Sequence, residues 1–154
     1  NRAALNALIA THAVVMDLTD GIFWAAAPPH QLGNFVAVDL ATLDVLPPER
    51  WIPADPMLAS GEFAAYTNSI HALATAKTAL RAGNAAQALA EAERAAAENP
   101  VYYKTLWIKA DALIRLGRTN EACAAYQAAL NAQPAFPSEQ AELRAILKKN
   151  RPLN

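Results

Sequence analysis

The side chains of this chain that could do chemistry are three histidines, one cysteine and a set of aspartates, and their spacing argues against a shared site. His12, His30 and His71 lie 18 and 41 residues apart, with no HxxxH or HxH pair. Metal ligands carried on one helix or hairpin come only a few residues apart. His12 is therefore expected to open a strand, His30 to lie in a turn beside Pro29, and His71 to sit on a helix surface. Asp17, Asp20, Asp39 and Asp44 could suggest paired carboxylates for acid–base work. The plainer reading puts Asp17 and Asp39 at strand ends and Asp20 in a hairpin turn. Cys123 is the single cysteine, which excludes an intrachain disulfide and a multi-thiolate zinc site. Flanked by Ala122 and Ala124 on a helix, it reads as a buried, inert thiol. There is no GxGxxG and no Walker loop, and Leu32-Gly33-Asn34 reads as a turn rather than a phosphate cradle. No catalytic residue, metal or cofactor is expected from these groups.

The elements that carry them divide the chain in three. At 154 residues, 54% apolar and 18% charged, the composition is that of a globular chain and not of a disordered one. A net charge of −1 gives no global electrostatic case for nucleic acid or an anionic membrane. No apolar run reaches the roughly 18 residues needed to span a bilayer. Asn1-Arg2 opens no basic-then-apolar signal sequence. With no initiator Met, the chain is expected to be a fragment or a processed product.

Residues 1–45 read as mixed. Asn1 to Ala10 is expected to be helical. His12 to Leu18 is a β-like apolar run, Thr19-Asp20-Gly21 a tight hairpin turn, and Ile22 to Ala26 the returning strand. Pro28-Pro29 stops it, and Phe35 to Leu40 is a third strand. Three strands and a short helix cannot bury both faces of a sheet, so this segment should end something larger. Residues 46–58 carry four prolines, which remove amide donors and forbid a regular helix. They read as an ordered linker, because Trp51 and Ile52 need a surface to cover. Residues 59–150 are rich in alanine and read as helices. The fold class is thus α+β, mostly α.

Self-similarity is the strongest signal. Gly83 and Gly117 are 34 residues apart, as are Ala88 and Ala122, Ala95 and Ala129, Pro100 and Pro134. Glycine suits the left-handed residue that ends a helix. Alanine suits the points of closest helix approach, and proline a helix stop. Tyr126 is a large packing residue, but Ala92 stands in its place one period earlier. With Ala72 and Ala76 also small, the first repeat is expected to be the looser. Ser138 is expected to cap a last helix running to Lys149, with Leu143, Ile146 and Leu147 on its apolar face.

This pattern resembles the tetratricopeptide repeat over roughly Ser69 to Pro134. The resemblance implies two helical hairpins and a closing helix whose polar outer face prevents end-to-end stacking. It further implies that the first helix of each hairpin lines a concave groove. Mapped by the period, the groove residues are Lys77, Arg81, Lys104, Trp107, Asp111 and Arg115. Such a basic patch with one aromatic could take an acidic or carboxylate-ended protein or peptide partner. The alternative is a solvated surface, with Trp107 packed against the terminal helix.

The front strings His12 to Trp24 and Pro29 to Leu40 are similar to the C-terminal end of the autoproteolytic acyltransferase and hydrolase family. That family includes acyl-coenzyme A:6-aminopenicillanic acid acyltransferase. The resemblance implies an N-terminal-nucleophile fold, with two stacked sheets between helices. It also implies a bacterial parent, cytoplasmic or periplasmic, in which a cysteine attacks an amide or thioester. That nucleophile must be the first residue of the mature chain, so that its own amine acts as base. Asn1 cannot serve, Cys123 lies within the second repeat, and no catalytic residue carries over. The expectation is a C-terminal fragment of such an enzyme, with a tetratricopeptide tail that packs on its catalytic part or holds a partner. An orphaned sheet edge would also allow two copies to pair. The rival reading is a self-standing repeat adaptor whose front hairpin is only a cap.

Overall fold

Runs of β-branched and aromatic residues become strands where the sequence places them. Val14–Asp17 (β1), Ile22–Ala26 (β2) and Phe35–Asp39 (β3) pair antiparallel in the order β1-β2-β3. The computed structural model describes residues 13–150. The expected helix over residues 1–10, and His12, lie outside them. Six α-helices follow the sheet among the described residues, giving an α+β fold that is mostly α. The chain forms two compact units that divide between Phe63 and Ala64.

In the first unit, the β1–β2 turn is longer than a two-residue Asp-Gly hairpin, since Asp17 pairs with Ile22. Its organiser is Asp17 and not Asp20. The Asp17 carboxylate accepts hydrogen bonds from the amides of Thr19 (2.9 Å) and Asp20 (3.1 Å), an Asx turn that competes with continued strand pairing. The β2–β3 connection is tight. A Cβ on Gly33 would lie 2.6 Å from the Pro28 carbonyl oxygen, so only glycine fits there.

The two sheet faces differ. Register places Ile22, Trp24, Ala37, Asp17 and Asp39 on one face, with Ile22 and Ala37 buried. The other carries Val14, Met16, Phe23, Ala25, Val36 and Val38, all apolar and none buried. The proline stretch runs beside β3. Phe35 and Ile52 exchange backbone hydrogen bonds at 2.9 and 3.2 Å, and the Leu46 amide donates to Ala37 at 2.9 Å. The Trp24 indole donates to the Arg50 carbonyl and the Trp51 indole to that of Leu46, each at 2.8 Å. Residues 46–58 are thus ordered beside β3 and fall within the first unit. They are also not free of helix: Pro56–Ser60 (α1) begins inside them. Proline is tolerated at a first helical turn, where its missing N–H has no partner to lose, and the Asp55 carboxylate caps that turn through the Met57 amide at 2.8 Å.

The second unit repeats itself in phase. Helix α2 (Glu62–Arg81) is followed by α3 (Ala85–Glu98), and α4 (Tyr103–Arg115) by α5 (Thr119–Asn131). The ends of α2 and α4, and the starts of α3 and α5, are each 34 residues apart. Gly83 (φ +80°) and Gly117 (φ +74°) stand just past the first helix of each pair. Around them the same bonds recur. The Asn84 amide donates to Ala79 and the Arg118 amide to Leu113, both at 2.9 Å. The Gly83 amide donates to Leu80 (3.1 Å) and the Gly117 amide to Ile114 (3.0 Å). This is the Schellman closure, which satisfies the last helical carbonyls through a left-handed residue.

The core follows the alanines. Ala88, Ala122, Ala95 and Ala129 are fully buried. So are Ala72, Ala76 and Ala92 in the first repeat. Leu80, Leu89, Leu113 and Tyr126 fill the space between helices, and Leu143 of α6 (Pro137–Asn150) closes the cluster. The closing helix starts at Pro137, one residue before the expected cap Ser138. Proline suits its first turn, and Ser138 is already helical.

Candidate functional site

Lys77 on α2 and Lys104, Trp107 and Ile108 on α4 line a cleft of about 160 Å3. Lys77 and Ile108 also border a neighbouring hollow of about 290 Å3, completed by Leu80 and Arg81. Helical spacing explains the grouping. Lys77 and Arg81 are four residues apart on one face of α2, and Lys104, Trp107 and Ile108 are three and four apart on α4. The wall of the smaller cleft is almost wholly apolar, and that of the neighbouring hollow is mixed.

The charges are unevenly compensated. Burial draws the Lys77 amine below the ordinary lysine range, and the Lys104 and Arg81 charges draw it further. Among the described residues, no carboxylate lies within ion-pair distance of Lys77 or Arg81. Lys104 is partly matched. Its Nζ lies 3.4 Å from Glu139 of α6 and 5.7 Å from the centre of the Tyr103 ring. The Tyr103 hydroxyl donates to the same carboxylate at 2.6 Å.

Two more of the six residues mapped to the groove are engaged within the fold. The Asp111 carboxylate accepts a 2.6 Å hydrogen bond from the Tyr126 hydroxyl. Burial, aided by the Glu142 charge, raises the Asp111 pKa against the lowering effect of that bond and of the Arg115 charge. Burial and Asp111 together push the Tyr126 hydroxyl above its usual range. Arg115 donates to the Leu80 carbonyl at the end of α2, where a cation also suits the helix dipole. The structure thus gathers Lys77, Arg81, Lys104 and Trp107, while Asp111 and Arg115 are held by internal partners. Sequence reasoning missed Ile108 and Leu80, which line the hollows. It also missed Glu139, which comes from a helix outside the repeat pair. Ile108 was signalled by its place on the groove-facing helix, one residue after Trp107. Nothing in the sequence pointed to Glu139.

The other candidates resolve into structure. The His30 ring lies 5.5 Å from that of Phe63, tilted by 54°, and His71 is exposed on α2. Asp39 accepts from the amides of Ala41 (2.8 Å) and Thr42 (2.9 Å), which hold its pKa below the usual range. Asp44 is exposed in the following loop. Cys123 is half-buried, and its Sγ donates to the Asn150 carbonyl at 3.2 Å. No group of three His, Cys, Asp or Glu among the described residues could hold a metal. No described helix is long and apolar enough to cross a membrane. Comparison with known protein families, with curated proteins and with solved structures finds nothing that matches this chain.

Proposed function

We propose that the second unit is a tetratricopeptide-type binding module, and that its cleft between α2 and α4 takes an acidic or carboxylate-ended peptide. The observation that carries this reading is the pair of uncompensated cations, Lys77 and Arg81, beside a cleft walled by Trp107 and Ile108. A carboxylate would form charge-assisted hydrogen bonds with the cations, and an apolar side chain next to it would cover the indole. The module would hold a partner. Titration of the chain with acidic, neutral and basic peptides of equal length tests it. Acidic peptides should bind best, and Lys77→Glu with Arg81→Glu should remove the preference. Equal binding of all three classes, or a preference that survives both substitutions, sinks the reading.

The sheet favours a second reading, concerned with the first unit. Its resemblance to the end of an N-terminal-nucleophile hydrolase or acyltransferase implies a partner sheet stacked on it. The apolar face of Val14, Met16, Phe23, Val36 and Val38, on which Val14 and Met16 are exposed and the other three half-buried, supports that reading. We infer that this face packs on the catalytic part of the same gene product, which would supply the cysteine nucleophile. Hydrogen exchange tests it: the β1 amides should exchange quickly in the chain alone and slowly in the full gene product. Equal protection in both would remove the reading.

A further inference from the structure

We propose that Lys77 is a site of covalent capture for a small molecule carrying both a carbonyl group and an anionic group, such as a phosphorylated aldehyde or an oxo acid. The proposal rests on the cleft itself and not on its occupation by a peptide. Amines add to carbonyls only in their neutral form, and a protein makes a lysine nucleophilic by desolvating it or placing it near another cation. Both conditions meet at Lys77. Lys77 lines the apolar cleft together with Trp107, Ile108 and the cationic Lys104 of α4, and it borders the neighbouring hollow together with Arg81 of α2. Glu139 of α6 reaches Lys104, not Lys77.

The other lysines are placed differently. Lys104 faces Glu139, and Lys109 pairs with Glu93 at 3.1 Å. Lys148 and Lys149 are exposed near the end of α6 and line neither hollow. The same cations that disfavour the ammonium at Lys77 provide for the ligand's anionic end. A volume of about 160 Å3 admits a molecule of a few heavy atoms, equivalent to roughly five waters at about 30 Å3 each.

The step balances without a further reactant. The lone pair of the neutral amine forms a bond to the carbonyl carbon, and one N–H hydrogen moves to the oxygen. The carbinolamine then loses that oxygen as water, together with the second N–H hydrogen, leaving a C=N bond to Lys77.

The test uses the whole chain with glyoxylate, an oxo acid small enough for the cleft, trapped by borohydride and mapped by peptide mass. The first equivalent should fall on Lys77, several-fold ahead of Lys104, Lys109, Lys148 and Lys149. Inorganic phosphate should compete with it, and an uncharged aldehyde should show a weaker preference. Lys77→Arg should abolish the first equivalent while leaving the circular dichroism spectrum unchanged. Label spread over the lysines according to exposure, with Lys148 and Lys149 ahead, overturns the proposal. Capture at Lys77 that no acidic peptide suppresses supports it while counting against the peptide groove. Spread labelling together with acidic-peptide binding overturns it and leaves the groove standing.

Discussion

Asp111 and Arg115 differ from Lys77 and Arg81 chiefly in what stands opposite them. All four come at helical spacing and look alike in sequence. Their partners, Tyr126 and the Leu80 carbonyl, lie 15 and 35 residues from Asp111 and Arg115 in the chain. Local periodicity carries no information over that separation, so the spacing identified the face but not which members were free. The distinction can be measured. Arg115→Ala should cost about 1 kcal/mol, the lower end for a charge-assisted bond because the group is partly solvated, and should leave acidic-peptide binding unchanged. Lys77→Glu should do the reverse. Loss of binding in Arg115→Ala at unchanged stability would return it to the groove. Asp111 makes a second case. Its folded pKa is raised, so it binds more protons folded than unfolded as the pH falls towards the carboxylate range. The linked stability is fully present below the unfolded value of about 3.9 and is lost as pH rises through the folded pKa. Asp111→Asn should remove that dependence, and its amide oxygen can still accept from Tyr126. Denaturant midpoints measured from acid to neutral pH should therefore fall less steeply in the variant; parallel curves would show that burial at Asp111 has no energetic consequence.

At the scale of the element, glycine made the repeat legible because its role there is conformational. Nothing lies within 4 Å of a Cβ added at Gly83 or Gly117. The only cost of a side chain is then the left-handed backbone, about 1 kcal/mol for each Gly→Ala change. Urea midpoints of the two single variants should shift by similar amounts, and a neutral Gly83→Ala would mean that the α2 closure does not hold in solution. The helix starts are less equivalent than the ends. Asn84 accepts from the Gln87 amide at 3.2 Å and caps α3. At the same place in the second repeat, Arg118 offers no cap and instead grips Glu121 at 2.7 and 2.6 Å. Asn84→Ala should cost about 1 kcal/mol, while Arg118→Ala should change stability little, because an exposed ion pair is largely screened. Prolines were harder to read than glycines. Pro56 and Pro137 start helices, whereas Pro47 and Pro53 lie outside any, since proline excludes the interior of a helix but not its first turn. Composition alone does not separate those cases, and so α1 was hidden in what looked like a linker.

For the whole molecule, the two units present opposite surfaces. The helical unit buries Leu73, Leu80, Leu89, Leu113 and Leu143 against its own helices. Among the described residues, the sheet unit carries one wholly apolar face that is exposed or half-buried, with Met16 at 62% exposure, while Ala37 on the opposite face is at 0%. The sequence announced this imbalance, because three strands supply only one layer. It could not say which face would be the more exposed, because that depends on where the segment around Trp51 folds back. Strands of four or five residues spaced about 4.8 Å apart offer a face of only roughly 250 Å2. Two copies meeting face to face would bury far less than the ~1,200 Å2 of a specific interface, even if their β1 edges also paired. Self-association should therefore be weak, and sedimentation at micromolar concentration should give the mass of one chain. Met16→Lys should leave stability within about 0.5 kcal/mol, as an exposed position allows, and should reduce binding of an apolar dye. Ala37→Lys, which places a charge in the buried face, should unfold the sheet unit. A tight dimer that survives Met16→Lys would mean that the apolar face is not where the molecule seeks its partner.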